Sequence, residues 1–306
     1  MKLKPKLKSI IDFLVFIILI SVIYIGVGYF IKAFVPISKL SESTFYIVTE
    51  FILFAAIALS IAGTQLFLYP LRKFFDSVDE PNVLIQSFAS RMWGPDLLIG
   101  FSIGAVFMSV TMALAYLGGG YVPEHSINFN INFGVPLIFF LFVGMAEELI
   151  FRGFVFLTFE KGFGTKWAIL VASLLFGYFH MLNKLDGIAE DYKPLCCLFL
   201  AIEAGFLLNA AFLIRRSLWI PIGIHWSWNL FETSIFGARE GQIHFLPSLF
   251  TGHYQPGLFL PGFPMGMESC YITVATGLVT GLILMRYAKS NRDRHVLEAT
   301  KSKTQV

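Results

Sequence analysis

Three clusters of polar side chains interrupt otherwise apolar stretches of this chain, and together they hold the groups needed to activate a water molecule. They are Gly144-Met-Ala-Glu147-Glu148-Leu-Ile-Phe-Arg152-Gly153, Phe176-Gly-Tyr-Phe-His180 and His225-Trp-Ser-Trp-Asn229. Ionisable groups at membrane depth are costly, so each is a functional hypothesis by default. Helical spacing separates their roles. Glu148 and Arg152 lie about 40° apart in projection and can pair directly. Glu147 is turned about 100° from Glu148 and faces a different neighbour. A structural ion pair accounts for Glu148 and Arg152 but leaves Glu147 unexplained. A lone buried carboxylate is a candidate general base. His225 and Asn229 stand one turn apart on one face, and an amide in hydrocarbon is costly unless satisfied. His180 alone reads as an ordinary hydrogen-bonded core histidine; it gains weight only beside the others. His244 and His253 have no partner spacing and read as structural loop residues.

These side chains need elements that carry them into a bilayer. Of 306 residues, 56% are hydrophobic and only 14% charged, against about 25% charged in soluble domains. The 34 phenylalanines suit lipid-facing surface. A hydrocarbon core of about 30 Å takes about 20 apolar residues as helix. Eight segments qualify, near Ile10–Phe34, Phe45–Tyr69, Leu97–Leu117, Val135–Thr158, Trp167–Asn183, Leu195–Ile214, Leu218–Phe236 and Cys270–Tyr287. The fold expected is therefore all-α, a polytopic transmembrane helical bundle of about eight spans. The fifth and seventh are short and carry polar residues, which fits the inside of a bundle. Counted from the helix ends, Glu147, His180, His225 and Asn229 lie at depths of roughly 10–20 Å, compatible with one layer.

Charge sets the expected orientation. With both termini cytoplasmic, most of the 23 Lys and Arg residues fall on the cytoplasmic side, as the positive-inside rule requires. The apolar stretch after the basic Met1–Lys8 segment is too long for a signal peptide and reads as a retained first span. The loop 237–268, rich in Gly, Pro and Phe, is long enough to be functional and could cap the bundle or dip into it. Cys196, Cys197 and Cys270 have no metal-type spacing and imply no disulfide framework.

The combination Glu147-Glu148-x-x-x-Arg152, Phe176-x-x-x-His180 and His225-x-x-x-Asn229 resembles the three motifs of the CAAX protease and bacteriocin-processing family of intramembrane endopeptidases, relatives of the type II CAAX prenyl endopeptidase. Order, helix placement and inter-motif distances agree over roughly 135–287, as does the Ser217-Leu-Trp-Ile-Pro-Ile approach to His225. Pro264-Met-Gly-Met-Glu268-Ser269 is an imperfect match to a Gly-Pro-Glu-type segment that often opens the last helix. The resemblance implies an intramembrane endopeptidase in which Glu147 takes a proton from water, His180 holds and polarises that water, and His225 with Asn229 stabilises the oxyanion. Glu148 and Arg152 would orient Glu147, and Phe176 would pack behind His180. The resemblance implies a catalytic core over 135–288; around it the sequence divides into helices 1–3, a variable region over 1–134, and a polar cytoplasmic tail over 289–306.

Other readings remain open from sequence. Glu147, His180 and His225 could form a His₂Glu zinc site with a position for water, although no His-Glu-x-x-His helix is present. The reading without a metal or other cofactor is preferred. A non-proteolytic immunity or scaffold protein would use the same polar layer to bind a partner. A proton-coupled transporter is disfavoured by the absence of a visible internal repeat. The expected partners are membrane lipid and a membrane-associated or lipidated peptide or protein, with no nucleic acid. The expected location is a multi-pass integral membrane position, in the plasma (inner) membrane if the host is bacterial.

Overall fold

The computed structural model describes residues 4–34, 41–76, 88, 90–129, 132–183, 193–237, 246–255 and 270–304. Eight helical rods follow the order of the eight apolar segments. They are α1 (Pro5–Phe34), α2 (Glu42–Asp76), α3 (Trp93–Leu117), α4 (Gly134–Phe163), α5 (Thr165–Asn183), α6 (Lys193–Arg215), α7 (Trp219–Leu230, continued by Phe231–Ile235) and α8 (Tyr271–Thr304). Among the described residues, six of them (all but α5 and α7) are long and apolar enough to cross a membrane. The chain is an all-α polytopic membrane protein. The two short, polar rods are helical, as their sequence leads one to expect, and they lie against the bundle's inner elements.

Burial sorts the rods. In α6 67% of the most apolar window is buried and in α4 50%, against 11% in α1. Thus α4 and α6 form the interior and α1 the periphery. The most extensive helix contact joins α3 to α7, and small residues make it possible. A Cβ on Gly100 would overlap the Ile220 carbonyl, one on Gly104 the Ser227 hydroxyl, and one on Gly223 the Leu97 carbonyl. Two small-xxx-small ridges, Gly100/Gly104 and Gly223/Ser227, therefore bring the two backbones together, as in membrane helix pairs generally. On its other side α7 meets α4. A Cβ on Gly144 would stand in ordinary van der Waals contact with the Trp226 nitrogen and the His225 Cβ, and the Trp226 indole donates to the Leu137 carbonyl at 2.9 Å. His225 is thus held between two helices.

Three features depart from ideal apolar helices. α4, α6 and α7 each contain a π-helical stretch, at Leu149–Phe156, Ala201–Phe206 and Phe231–Ile235. The loops after α3 and α7 form a small antiparallel sheet from β1 (Tyr121–Ile127) and β2 (Phe250–Tyr254), with Tyr121 opposite Tyr254 and Val122 opposite His253. The Tyr121 hydroxyl donates to the Phe236 carbonyl, tying the sheet to the end of α7. The long connection read as a loop therefore contains a strand; His244 and the Pro264–Ser269 segment lie outside the described residues. Finally, α8 remains helical through its polar end to Thr304. At the other end of the bundle, Arg215 pairs with Asp96 at 3.0 Å, and Arg216 meets Glu160, which also accepts from Thr165. These bonds join the ends of α3, α4, α5 and α6.

Candidate active site

Glu147 and Glu148 close the α-helical part of α4, and Arg152 follows inside its π-helical stretch. The Glu148 and Arg152 side chains are both fully buried and pair at 2.9 Å. Arg152 carries five N–H donors, and they are used widely. Its Nε donates to Asn209 Oδ1 at 3.3 Å, and Nη2 to the carbonyls of Ala204 and Gly205 at 3.3 and 3.0 Å. Those two carbonyls belong to the π-helical stretch of α6, where the altered i→i+5 pattern changes which backbone acceptors are free. Asn209 in turn donates to Ser173 Oγ and the Ile169 carbonyl on α5. One guanidinium thus holds α4, α5 and α6 in register.

Glu148 has a second partner. Its Oε1 lies 2.9 Å from His225 Nδ1, so a buried carboxylate orients this imidazole through Nδ1–H and leaves Nε2 facing the site. The sequence reading assigned Glu148 to orienting Glu147. In the structure its hydrogen bonds run to Arg152 and His225 instead. The helical projection places Glu148 and Arg152 together correctly, but it carries no information about which neighbouring helix meets Glu148.

His180, on α5, is buried. Its Nδ1 is 3.0 Å from the Phe176 carbonyl, which only accepts, so Nδ1 carries a proton and Nε2 is left facing Glu147. The Phe176 ring packs on His180 with centroids 4.3 Å apart and receives the Arg152 guanidinium on its face at 4.8 Å. The Nε2 atoms of His180 and His225 converge on Glu147 Oε2, at 3.4 and 3.8 Å. Both separations exceed normal hydrogen-bond lengths. This oxygen is buried and has no hydrogen-bond partner among the described residues. Glu147 keeps some exposure, 17% for its side chain, where Glu148 has none. Glu148 Oε2 is also buried without a partner among the described residues, so the two adjacent carboxylates differ in that Glu148 Oε1 is bonded twice and sealed while Glu147 is partly exposed.

The remaining expected residue, Asn229, is half-buried on the same helix as His225, and no hydrogen bond joins it to the cluster among the described residues. The structure thus brings together Glu147, Glu148, Arg152, Phe176, His180 and His225, and leaves Asn229 at the edge. Sequence reasoning missed Asn209 and Ser173, and also Glu50 on α2, which lies within electrostatic range of Glu147. Asn209 and Glu50 could have been found by the rule that singled out Glu147, since each is a strongly polar group in an apolar span. Among the described residues, no group of three or more His, Cys, Asp or Glu side chains is arranged to hold a metal ion. A zinc set of Glu147, His180 and His225 has no support there.

A helical membrane protein with a buried carboxylate between two imidazoles is the class that this fold and this site define. Residues 129–231 match the family described as Type II CAAX prenyl endopeptidase Rce1-like, in agreement with the resemblance carried by the three motifs. This region runs from just before α4 into the end of α7 and contains every residue of the cluster, but not Glu50. No curated protein and no solved structure matches the chain.

Proposed function

We propose that the chain is an intramembrane endopeptidase that hydrolyses a peptide bond of a membrane-associated protein or peptide with water activated by Glu147. The observation that carries this reading is the bare, buried Oε2 of Glu147 with two imidazole Nε2 atoms 3.4 and 3.8 Å away. A carboxylate oxygen in that setting requires a donor, and water is the donor at hand for a hydrolase. A water there gives one O–H to Glu147 and the other to the neutral Nε2 of His180, which fixes its orientation.

Each proton has a destination. Glu147 takes one proton as the water oxygen bonds to the scissile carbonyl carbon, and the carbonyl oxygen becomes an oxyanion. His225, doubly protonated, gives Nδ1–H to Glu148 and Nε2–H to that oxyanion, and Asn229 adds its amide from the next turn. A preorganised oxyanion donor contributes about 3–4 kcal/mol in comparable sites. Glu147 then delivers its proton to the leaving amine as the C–N bond breaks. Glu148, Arg152 and Asn209 take no proton in this sequence; they hold His225 and α4 in place. An immunity or scaffold protein of the same fold would need none of these steps.

The test uses purified chain in proteoliposomes with a library of lipid-anchored peptides, with products read by mass spectrometry. Wild type should generate products that Glu147→Ala and His180→Ala reduce by a factor of about 10²–10⁴, the range for losing a positioned acid–base group. Full activity in both variants would refute the mechanism.

A further inference from the structure

Glu50 is a charged group that this mechanism leaves unused. It is the sole charged side chain in the apolar window Ile47–Thr64 of α2, outside the family-matched region. A carboxylate in such a span needs a partner or a purpose. Its helix face is fixed by its neighbours. Ile47 packs against the cluster formed by Phe139, Phe140 and Leu230, together with Val143 and Trp226. Phe51 and Phe54 flank Phe142, with ring centroids 5.3 and 6.4 Å apart. Positions 47, 50, 51 and 54 follow the i, i+3, i+4, i+7 spacing of one helical stripe, so Glu50 lies on the side of α2 that covers α4, one turn from residues touching α4 and α7.

The charges around the site do not balance at this point. Glu148 is matched by Arg152 and His225, and Glu147 faces the two imidazoles. Glu50 interacts electrostatically with Glu147, a like charge, and has no ion pair or hydrogen bond among the described residues. It is also half-buried, not sealed into the core as Glu148 is. A half-buried carboxylate with no counter-charge among the described residues, on the side of α2 that covers α4, is suited to a cation that arrives with a ligand, because attraction between opposite charges strengthens as water is excluded.

We infer that Glu50 is a specificity-determining residue of this site, and that it receives a positively charged group, a lysine or arginine side chain, carried by the substrate close to the scissile bond. This rests on the proteolytic reading above and adds a substrate class to it. The chemistry of the cluster would then be supplied by α4, α5 and α7, and the choice of substrate by α2.

The same proteoliposome library tests it, followed by pairs of the cleaved peptides in which lysine is replaced by norleucine. Wild type should cut the lysine member about tenfold faster. In Glu50→Gln the lysine-to-norleucine ratio should fall to about one, and in Glu50→Lys glutamate-containing peptides should overtake lysine ones. These ratios compare substrates within one preparation and do not depend on how much protein has folded. Glu147-dependent products without a charge preference would overturn this inference alone, as would a preference that Glu50→Gln leaves intact, the outcome expected if Glu50 only stores a proton. A library in which no product depends on Glu147 would overturn the proteolytic reading and this inference with it.

Discussion

Two adjacent glutamates on one helix carry different duties because their surroundings differ. Glu148 is closed in by Arg152 and His225 at 2.9 Å each, while Glu147 meets two imidazoles at longer range and keeps partial exposure. Removing one member of a fully buried ion pair leaves an uncompensated charge, which costs about 3–5 kcal/mol. Arg152→Leu should therefore lower the thermal unfolding midpoint sharply, and adding Glu148→Gln to it should recover part of the loss. Recovery would separate the buried charge from the lost carbonyl bonds of Ala204 and Gly205. Glu148→Gln alone preserves an acceptor for His225 Nδ1–H but removes its charge. It should reduce kcat by about tenfold or more and leave KM nearly unchanged, since the support is needed as negative charge develops on the substrate. A change confined to KM would assign Glu148 to binding.

The helices position these groups through close backbone contacts, which makes the small residues testable. Gly104→Val and Gly223→Val should separate α3 from α7, lower the unfolding midpoint and displace His225, with a fall in turnover. Gly26 and Gly28 on α1 have nothing within 4 Å of a Cβ, so alanine there should be silent in both measurements. The sheet offers a pH prediction. Burial, and then the nearby Glu124, push the Tyr121 hydroxyl above its ordinary value. The folded state thus holds this proton more tightly than the unfolded one, and its contribution to stability should fade as pH rises past about 10. Unfolding midpoints should drop there in the wild type and less in Tyr121→Phe. Among the described residues, six helices were legible as long apolar runs, and α5 and α7 as shorter runs carrying polar residues. The π-helical stretches were not, since a shift from i→i+4 to i→i+5 bonding depends on what packs against the helix. The β1–β2 pairing joins segments far apart in sequence and leaves no local periodicity. At the site, side chains that contrast with their span were readable. The Ala204 and Gly205 carbonyls that hold Arg152 were not, because every residue has a carbonyl and only the fold says which are free.

Across the whole molecule, burial decreases from α6 and α4 outward to α1, and the polar cluster sits where those inner rods meet α5 and α7. Such a chain should remain with the membrane fraction through an alkaline carbonate wash and be released only by detergent; release by carbonate alone would contradict the membrane-spanning reading. The family-matched region 129–231 supplies the inner rods, and α2, α3 and α8 pack around it. The side chains of the cluster are buried except for the partial exposure of Glu147. Proteolysis in that setting should leave a record in the host's own membranes. The most direct measurement is mass-spectrometric profiling of new protein N-termini in membranes from cells expressing the wild-type chain or Glu147→Ala at equal levels. At least one N-terminus created within or beside a membrane-associated segment should be present with the wild type and absent with the variant. Identical profiles from the two strains, with both proteins folded and in the membrane, would contradict the account.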